Sequence, residues 1–253
     1  MANTLKDKLR AGQVTYGVWL TMFDSDLVEL FGHLGFDYAV FDAEHTALDP
    51  SAARDLIRAC EVVDMVPIVR VPEINRSQIL RYLEIGAVGI YVPHLKTADQ
   101  ARELVDAVKY APLGHRGAGR MRAIEFGLAD SLPDRYRQAN DDTMTFALVE
   151  DLEGIENLDD IIAVDTLDGF SVGRGDLSHQ MGHPGEKAHP EVEALAVEAE
   201  ARLTAAGKVI EATVADAAEA LDYINRGCLM ISMTLQPIVI AGARKFLSDV
   251  GAR

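Results

Sequence analysis

The sequence predicts an α/β fold, a closed eight-stranded (β/α)8 TIM barrel forming a single domain, and three observations carry that prediction. Apolar runs of strand length alternate with helical periodicity along the whole 253-residue chain, as a parallel barrel requires. No GxGxxG or GxxxxGK[ST] follows the first run, where an open doubly wound sheet usually carries its nucleotide-binding loop. Trp19, Asp42, Glu44, His45, Arg70, Glu150 and Asp176 gather where runs stop, and barrel active sites collect at the C-terminal ends of strands.

After a short polar helix, Val14 to Leu20 reads as the first strand and contains Trp19, the single tryptophan. Asp26 to Leu34 is the first core-facing helix. Phe36 to Phe41 is the second strand, followed abruptly by Asp42, Ala43, Glu44 and His45, and Pro50 to Val62 is helical. Val66 to Val69 is the third strand and runs into Arg70; Ser77 to Glu84 is helical and stops near Gly86. Val88 to Val92 is the fourth strand. Thr97 caps a helix to Tyr110, with Ala101, Leu104, Val105 and Val108 on its apolar face. A long excursion then precedes the fifth strand, Thr143 to Val149, of the kind that barrels place over their mouths. Asn157 to Val164 is helical, with Leu158, Ile161 and Ile162 on one face, and Gly169 to Val172 is the sixth strand. The glycine-rich stretch Gly173 to Ser178 reads as a loop whose backbone N–H groups face an anion. His189 to Ala206 is helical, Lys208 to Glu211 begins the seventh strand, Ala215 to Arg226 is helical and Cys228 to Met233 is the eighth strand. A last helix spans Ile238 to Leu247 and is expected to pack on a neighbouring subunit.

Forty acidic against 24 basic residues give a net charge of −16, which repels a phosphate backbone and excludes nucleic acid as an expected partner. A few arginines in a cleft still suffice for a small anionic substrate at short range. Cys60 and Cys228 lie in apolar contexts without CxxC spacing, so free buried thiols in a reducing cytoplasm are expected. The first ten residues lack a signal-peptide core, and no run approaches the ~20 apolar residues of a membrane span.

Glu150 and Asp176 end adjacent parallel strands, so both carboxylates reach the same face of the sheet and can share a cation. Oxygen-only ligands favour a hard divalent ion such as magnesium or manganese, with cobalt a further candidate. Capping of the following helix is the competing role for each acid alone. His45 is of the residue type that suits a general base, with Asp42 or Glu44 orienting it; an ordinary loop histidine is the alternative. Arg70 presents a planar fork to a carboxylate or a developing oxyanion, or else a structural ion pair. Arg116, Arg120 and Arg122 read mainly as structural. His179, His183 and His189 follow no zinc spacing and read as loop residues. Lys96 could form a Schiff base only if desolvated, and its polar neighbours argue that it is solvated.

These pieces together resemble the HpcH/HpaI aldolase family, the metal-dependent class II pyruvate aldolases, over nearly the full length. The matching segments are Gly17-Val18-Trp19, Gly35-Phe36-Asp37, Asp42-Ala43-Glu44-His45, Arg70, Gly86-Ala87 with Pro93, Tyr110 to Gly119, Glu150 and Gly173 to Ser178. The resemblance implies a metal-dependent carbon–carbon lyase that reversibly cleaves 4-hydroxy-2-oxo acids to pyruvate and an aldehyde, through the pyruvate enolate held at the cation. It implies Glu150 and Asp176 as metal ligands, His45 as the base working with Asp42, Arg70 on the keto oxygen, and Gly175 with Asp176 as the carboxylate cradle beside Trp19. It also implies a homo-oligomer, usually a hexamer, and oxaloacetate decarboxylation as a side activity. Two positions depart from the family pattern. The usual Gly-Pro-x-Asp reads Gly173, Arg174, Gly175, Asp176, so a cation is expected in the mouth, and the usual Gln-x-Glu reads Leu148, Val149, Glu150. The competing expectations are an acyl-CoA thioester lyase on the related citrate lyase β-like barrel, a Schiff-base aldolase through Lys96, and a non-catalytic barrel that binds a keto acid.

Overall fold

The computed structural model describes residues 4–251. Eight parallel strands close into a barrel in sequence order: β1 Thr15–Leu20, β2 Tyr38–Asp42, β3 Val66–Arg70, β4 Gly89–Val92, β5 Met144–Val149, β6 Gly169–Val172, β7 Val209–Thr213 and β8 Met230–Thr234. Closure is made by β8 on β1, with Thr15 opposite Met230 and Trp19 opposite Thr234. The helices are α1 Thr4–Arg10, α2 Ser25–His33, α3 Pro50–Val62, α4 Arg76–Glu84, α5 Ala98–Val108, α6 Leu132–Asp142, α7 Leu152–Glu156, α8 Leu158–Ile162, α9 Arg174–Gln180, α10 Pro190–Ala205, α11 Ala217–Asn225 and α12 Leu235–Asp249. Side chains fix several starts: Asp49 accepts from Ala52 N–H, and Thr97 accepts from Gln100 N–H as its capping role requires.

Strand alternation sorts the core. One set of buried residues, including Val18, Ala39, Phe41, Val69, Ile90, Ala147 and Val149, faces the helices. The other, including Trp19, Tyr38, Val40, Ile68, Tyr91, Phe146 and Leu148, fills the lumen, where Leu5 and Leu9 of α1 join it. Counting by twos along each strand then aims Asp42, Arg70 and Glu150 inward at the mouth, above Val40, Ile68 and Leu148. Gly17 belongs to the lumen face because a Cβ there would come within 2.1 Å of the Tyr38 ring.

Four stretches differ from the sequence expectation. The excursion before β5 contains a broken 3-10 segment, Arg122–Gly127, and the helix α6. The helical stretch after β5 is split into α7 and α8 around Asn157, whose amide donates to the Lys96 carbonyl at 2.9 Å. Gly173 to Ser178 is not an open loop: Gly173 precedes α9, and Arg174 to Ser178 lie within it. The Arg174 guanidinium pairs with Glu193 and Glu200 of α10 in the wall of the mouth and fastens the first turn of α9. The C-terminal helix is also longer than expected, running unbroken from Leu235 to Asp249.

Candidate functional site

A cleft of about 620 Å³ opens at the C-terminal ends of the strands and is lined by Trp19, Asp42, Arg70, Glu150, Gly175 and Asp176, among others. Glu150 follows β5 and is buried, whereas Asp176 sits in the first turn of α9 and is exposed. The two carboxyls lie side by side. Burial first, and then repulsion from Asp176, pushes the Glu150 carboxyl up to about 8. Gly173 makes the approach possible, because a Cβ there would lie 2.5 Å from Glu150 Cβ and 2.6 Å from Oε2. Two crowded carboxylates with oxygen-only donors fit a hard divalent cation, which would relieve their mutual repulsion.

Opposite them, Arg70 grips Asp42 bidentately, Nε to Oδ1 at 2.9 Å and Nη2 to Oδ2 at 2.6 Å, while Nη1 lies 3.1 Å from Glu44 Oε2. Burial raises the Asp42 pKa, but the bonds and charge of Arg70 outweigh it and hold the carboxyl below its usual range. The guanidinium also stacks over Trp19, 4.9 Å from the ring centroid. Asp42 Oδ1 accepts from the backbone N–H groups of Glu44 (3.0 Å) and His45 (3.3 Å), so it holds the loop and not the His45 imidazole. Of the two acids expected to orient His45, Glu44 lies beside the ring, 3.7 Å from Nε2, while Asp42 binds Arg70 and the His45 backbone. The His45 ring is at the rim, 65% exposed.

Two residues near this site escaped the sequence reading. His94 follows Pro93 beyond β4 with a left-handed φ of 53°, which turns its backbone N–H onto Glu150 Oε1 at 3.2 Å. Its ring Nδ1 lies 2.9 Å from Asp151 Oδ2 and 3.5 Å from Glu150 Oε1. A histidine just past a strand end is the signal that could have found it. Glu211 is buried in the lumen beneath the mouth, accepting from Trp19 Nε1 (3.1 Å), the Tyr91 hydroxyl (3.3 Å) and the Ser232 hydroxyl. A carboxylate at an inward position of β7 could have been found by strand parity.

The other expectations sort cleanly. Lys96 pairs with Asp151 at 3.2 Å and remains partly exposed, as a solvated lysine should. Arg174 lines the cleft, and its guanidinium is paired there with Glu193 and Glu200. Arg116 and Arg122 pair with Glu84 and Glu61 at the other end of the barrel, lining a separate cavity of about 600 Å³. Cys60 and Cys228 are free and buried. Among the described residues no helix is long and apolar enough to cross a membrane.

Fold and cleft together define a barrel enzyme whose chemistry-bearing side chains rise from the strand ends. The sequence profile of the HpcH/HpaI aldolase/citrate lyase family matches residues 15–236, and the chain belongs to that family. It is 33% identical over 248 residues to a hydroxypyruvate/pyruvate aldolase of Roseobacter denitrificans, covering 97% of this chain and 96% of that protein. It is 34% identical over 253 residues to a 4-hydroxy-2-oxo-heptane-1,7-dioate aldolase of Salmonella paratyphi B, covering 100% and 96%. The crystal structure of a HpcH/HpaI aldolase/citrate lyase family protein from Burkholderia cenocepacia superposes with a TM-score of 0.92 at 29% identity, covering 99% of this chain and 100% of that one.

Proposed function

We propose that this chain is a class II pyruvate aldolase, a lyase that reversibly cleaves 4-hydroxy-2-oxo acids to pyruvate and an aldehyde. The observation that carries the reading is the convergence of the Glu150 and Asp176 carboxyls across the cleft from Arg70, in a chain of this family. Glu150 and Asp176 would hold magnesium, manganese or cobalt, and the bound ion would supply Lewis-acid polarisation of the keto group.

Arg70 stabilises the oxygen that gains charge as the pyruvate methyl loses its proton, and its position is set by Asp42, Glu44 and the Trp19 face. The first-turn amides of α9 at Gly175 and Asp176 receive the substrate carboxylate. His45 takes the methyl proton at a ring nitrogen and returns it to the aldehyde-derived oxygen, with Glu44 beside it. The same sequence of charges accounts for decarboxylation of oxaloacetate as a side reaction. The enzyme works in the cytoplasm as a homo-oligomer, a hexamer by the resemblance, within one domain spanning 1–253. Exposed Val239, Ile240, Phe246 and Leu247 on α12 support a contact with a neighbouring subunit.

The test is turnover of pyruvate with a panel of aldehydes, beside acyl-CoA thioesters and borohydride trapping, in native protein and in His45→Ala and His94→Ala. Aldol product formed without trapping, and lost in His45→Ala, supports the reading. Turnover of a thioester but not of pyruvate replaces it with a thioester lyase, trapping at a lysine replaces it with a Schiff-base aldolase, and loss only in His94→Ala moves the base to His94.

A further inference from the structure

We infer that the loop joining α9 to α10 and the first turn of α10 hold a second cation site, built from His183, His189 and Glu191 and suited to a borderline divalent ion such as zinc, cobalt or nickel. The sequence singled out His179, His183 and His189 without a zinc spacing; folding separates His179 from the group and brings Glu191 to it. Each of the three residues offers one ligand atom, and these atoms all lie within 4.8 Å of one another. Two imidazoles and a carboxylate form a donor set that zinc and its neighbours accept, leaving a position open to water. The strand-end pair, by contrast, offers only oxygen.

The loop presents these groups in a fixed frame. His183 N–H donates to the Ser178 carbonyl at 2.7 Å and His189 N–H to the Glu186 carbonyl at 2.9 Å, while Glu193 N–H donates to the His189 carbonyl at 2.9 Å. The two rings stack with centroids 3.4 Å apart and planes 15° apart, so binding one ion requires at least one ring to rotate and bring its in-plane lone pair onto it. His183 Nε2 lies 3.1 Å from Glu191 Oε2. His189 Nδ1 accepts from Glu191 N–H at 3.4 Å, a contact too long to hold the ring against a metal bond. Ligand atoms on a tetrahedral zinc stand about 3.3 Å apart, given bonds of about 2.0–2.2 Å. The Glu191 side chain, 70% exposed, is free to turn in and close the remaining distance.

The position gives the ion a consequence. Lys187 and Ala188, in the same loop, line the strand-end cleft, and Lys187 lies over Gly175. An ion on His183, His189 and Glu191 ties this wall of the cleft to the start of α10.

The test is a Co2+ titration of the chelator-treated full chain, followed by calorimetry and by visible absorption, in the native protein and in His183→Ala, Glu191→Gln and Glu150→Gln. Hydrogen exchange of the 181–189 segment is the second readout, and unchanged circular dichroism in chelator shows that each variant is folded. The expected result is a nitrogen-ligated Co2+ spectrum that His183→Ala abolishes with loss of one bound ion per chain, that Glu191→Gln weakens, and that Glu150→Gln leaves in place. Slower exchange over 181–189 on adding Co2+ is expected in the native chain and not in His183→Ala. If His183→Ala keeps the same ion count and spectrum, or if every bound ion disappears with Glu150→Gln, the loop site does not exist. Ion counts insensitive to Glu150→Gln contradict the strand-end metal reading and leave the loop site standing.

Discussion

The indole nitrogen of Trp19 donates to Glu211 Oε1 across 3.1 Å of the lumen, and the upper part of the same indole carries the Arg70 guanidinium. A buried carboxyl thereby fixes the aromatic platform on which the cleft's central cation rests. Burial pushes that carboxyl above the ordinary range, and hydrogen bonds from Ser232, Trp19 and Tyr91 only partly offset the effect. Glu211→Ala leaves several buried donors unpartnered and is expected to cost about 2–4 kcal/mol, whereas Glu211→Gln keeps an acceptor and should cost about half of that or less. Urea midpoints of the two variants check the order; equal losses would mean that Glu211 acts by volume and not by hydrogen bonding.

Arg70→Lys replaces a planar fork by a point charge. The bidentate grip on Asp42 cannot be kept together with the contact to Glu44. The expected outcome is a fall of about 100-fold or more in kcat with a smaller change in KM, because the lost charge stabilisation belongs to the transition state. Steady-state kinetics on the aldol reaction checks it, and a pure KM effect would assign Arg70 to ground-state binding.

The same pair predicts an acid limb. Asp42 titrates below its usual value in the folded chain because Arg70 holds it ionised against the cost of burial. A lowered folded pKa contributes stability that is complete above the unfolded value of about 3.9 and is lost as pH falls through the folded value. Asp42→Asn should therefore be less stable than the native chain at neutral pH, with the gap narrowing as acid is added. Thermal melting from neutral pH to about pH 3 measures it; a gap that does not change with pH would remove the electrostatic explanation.

Arg174→Leu separates stability from catalysis. Glu200 is buried between Arg174 and Arg226 and would keep only the second cation. A loss of about 2–4 kcal/mol is expected, discounted because Glu193, the other partner, is nearly half exposed. The KM for pyruvate should stay within a few-fold of the native value. A large rise in KM with unchanged stability would instead give Arg174 a direct part in binding the substrate.

The barrel was legible because each strand is an apolar run of nearly constant length, and strand parity then determines what faces the lumen. Asp42, Arg70 and Glu150 stand out for that reason, as polar residues at inward positions just past apolar ones. Gly173-Arg174-Gly175 misled because glycine composition signals a turn, whereas the conformation is decided by ion pairs to α10, about twenty residues further on. Adjacency in sequence put Asp42, Glu44 and His45 in one loop without telling which acid meets the ring: Asp42 binds Arg70 and the His45 backbone, and Glu44 lies beside the imidazole. His94 and Glu211 carried sequence signals of position alone, and their partners come from other parts of the barrel, Glu150 and Asp151 after β5 for one, Trp19 and Tyr91 for the other.

The central claim is that Glu150 and Asp176 together hold the catalytic cation. The direct measurement is aldolase activity of chelator-treated protein as magnesium, manganese or cobalt is returned singly, in the native chain, Glu150→Gln and Asp176→Asn. The expected result is near-zero activity without metal, recovery in the native chain, and no recovery in either variant at any ion concentration that saturates the native protein. Full activity in chelator, or metal-restored activity in both variants, would contradict it.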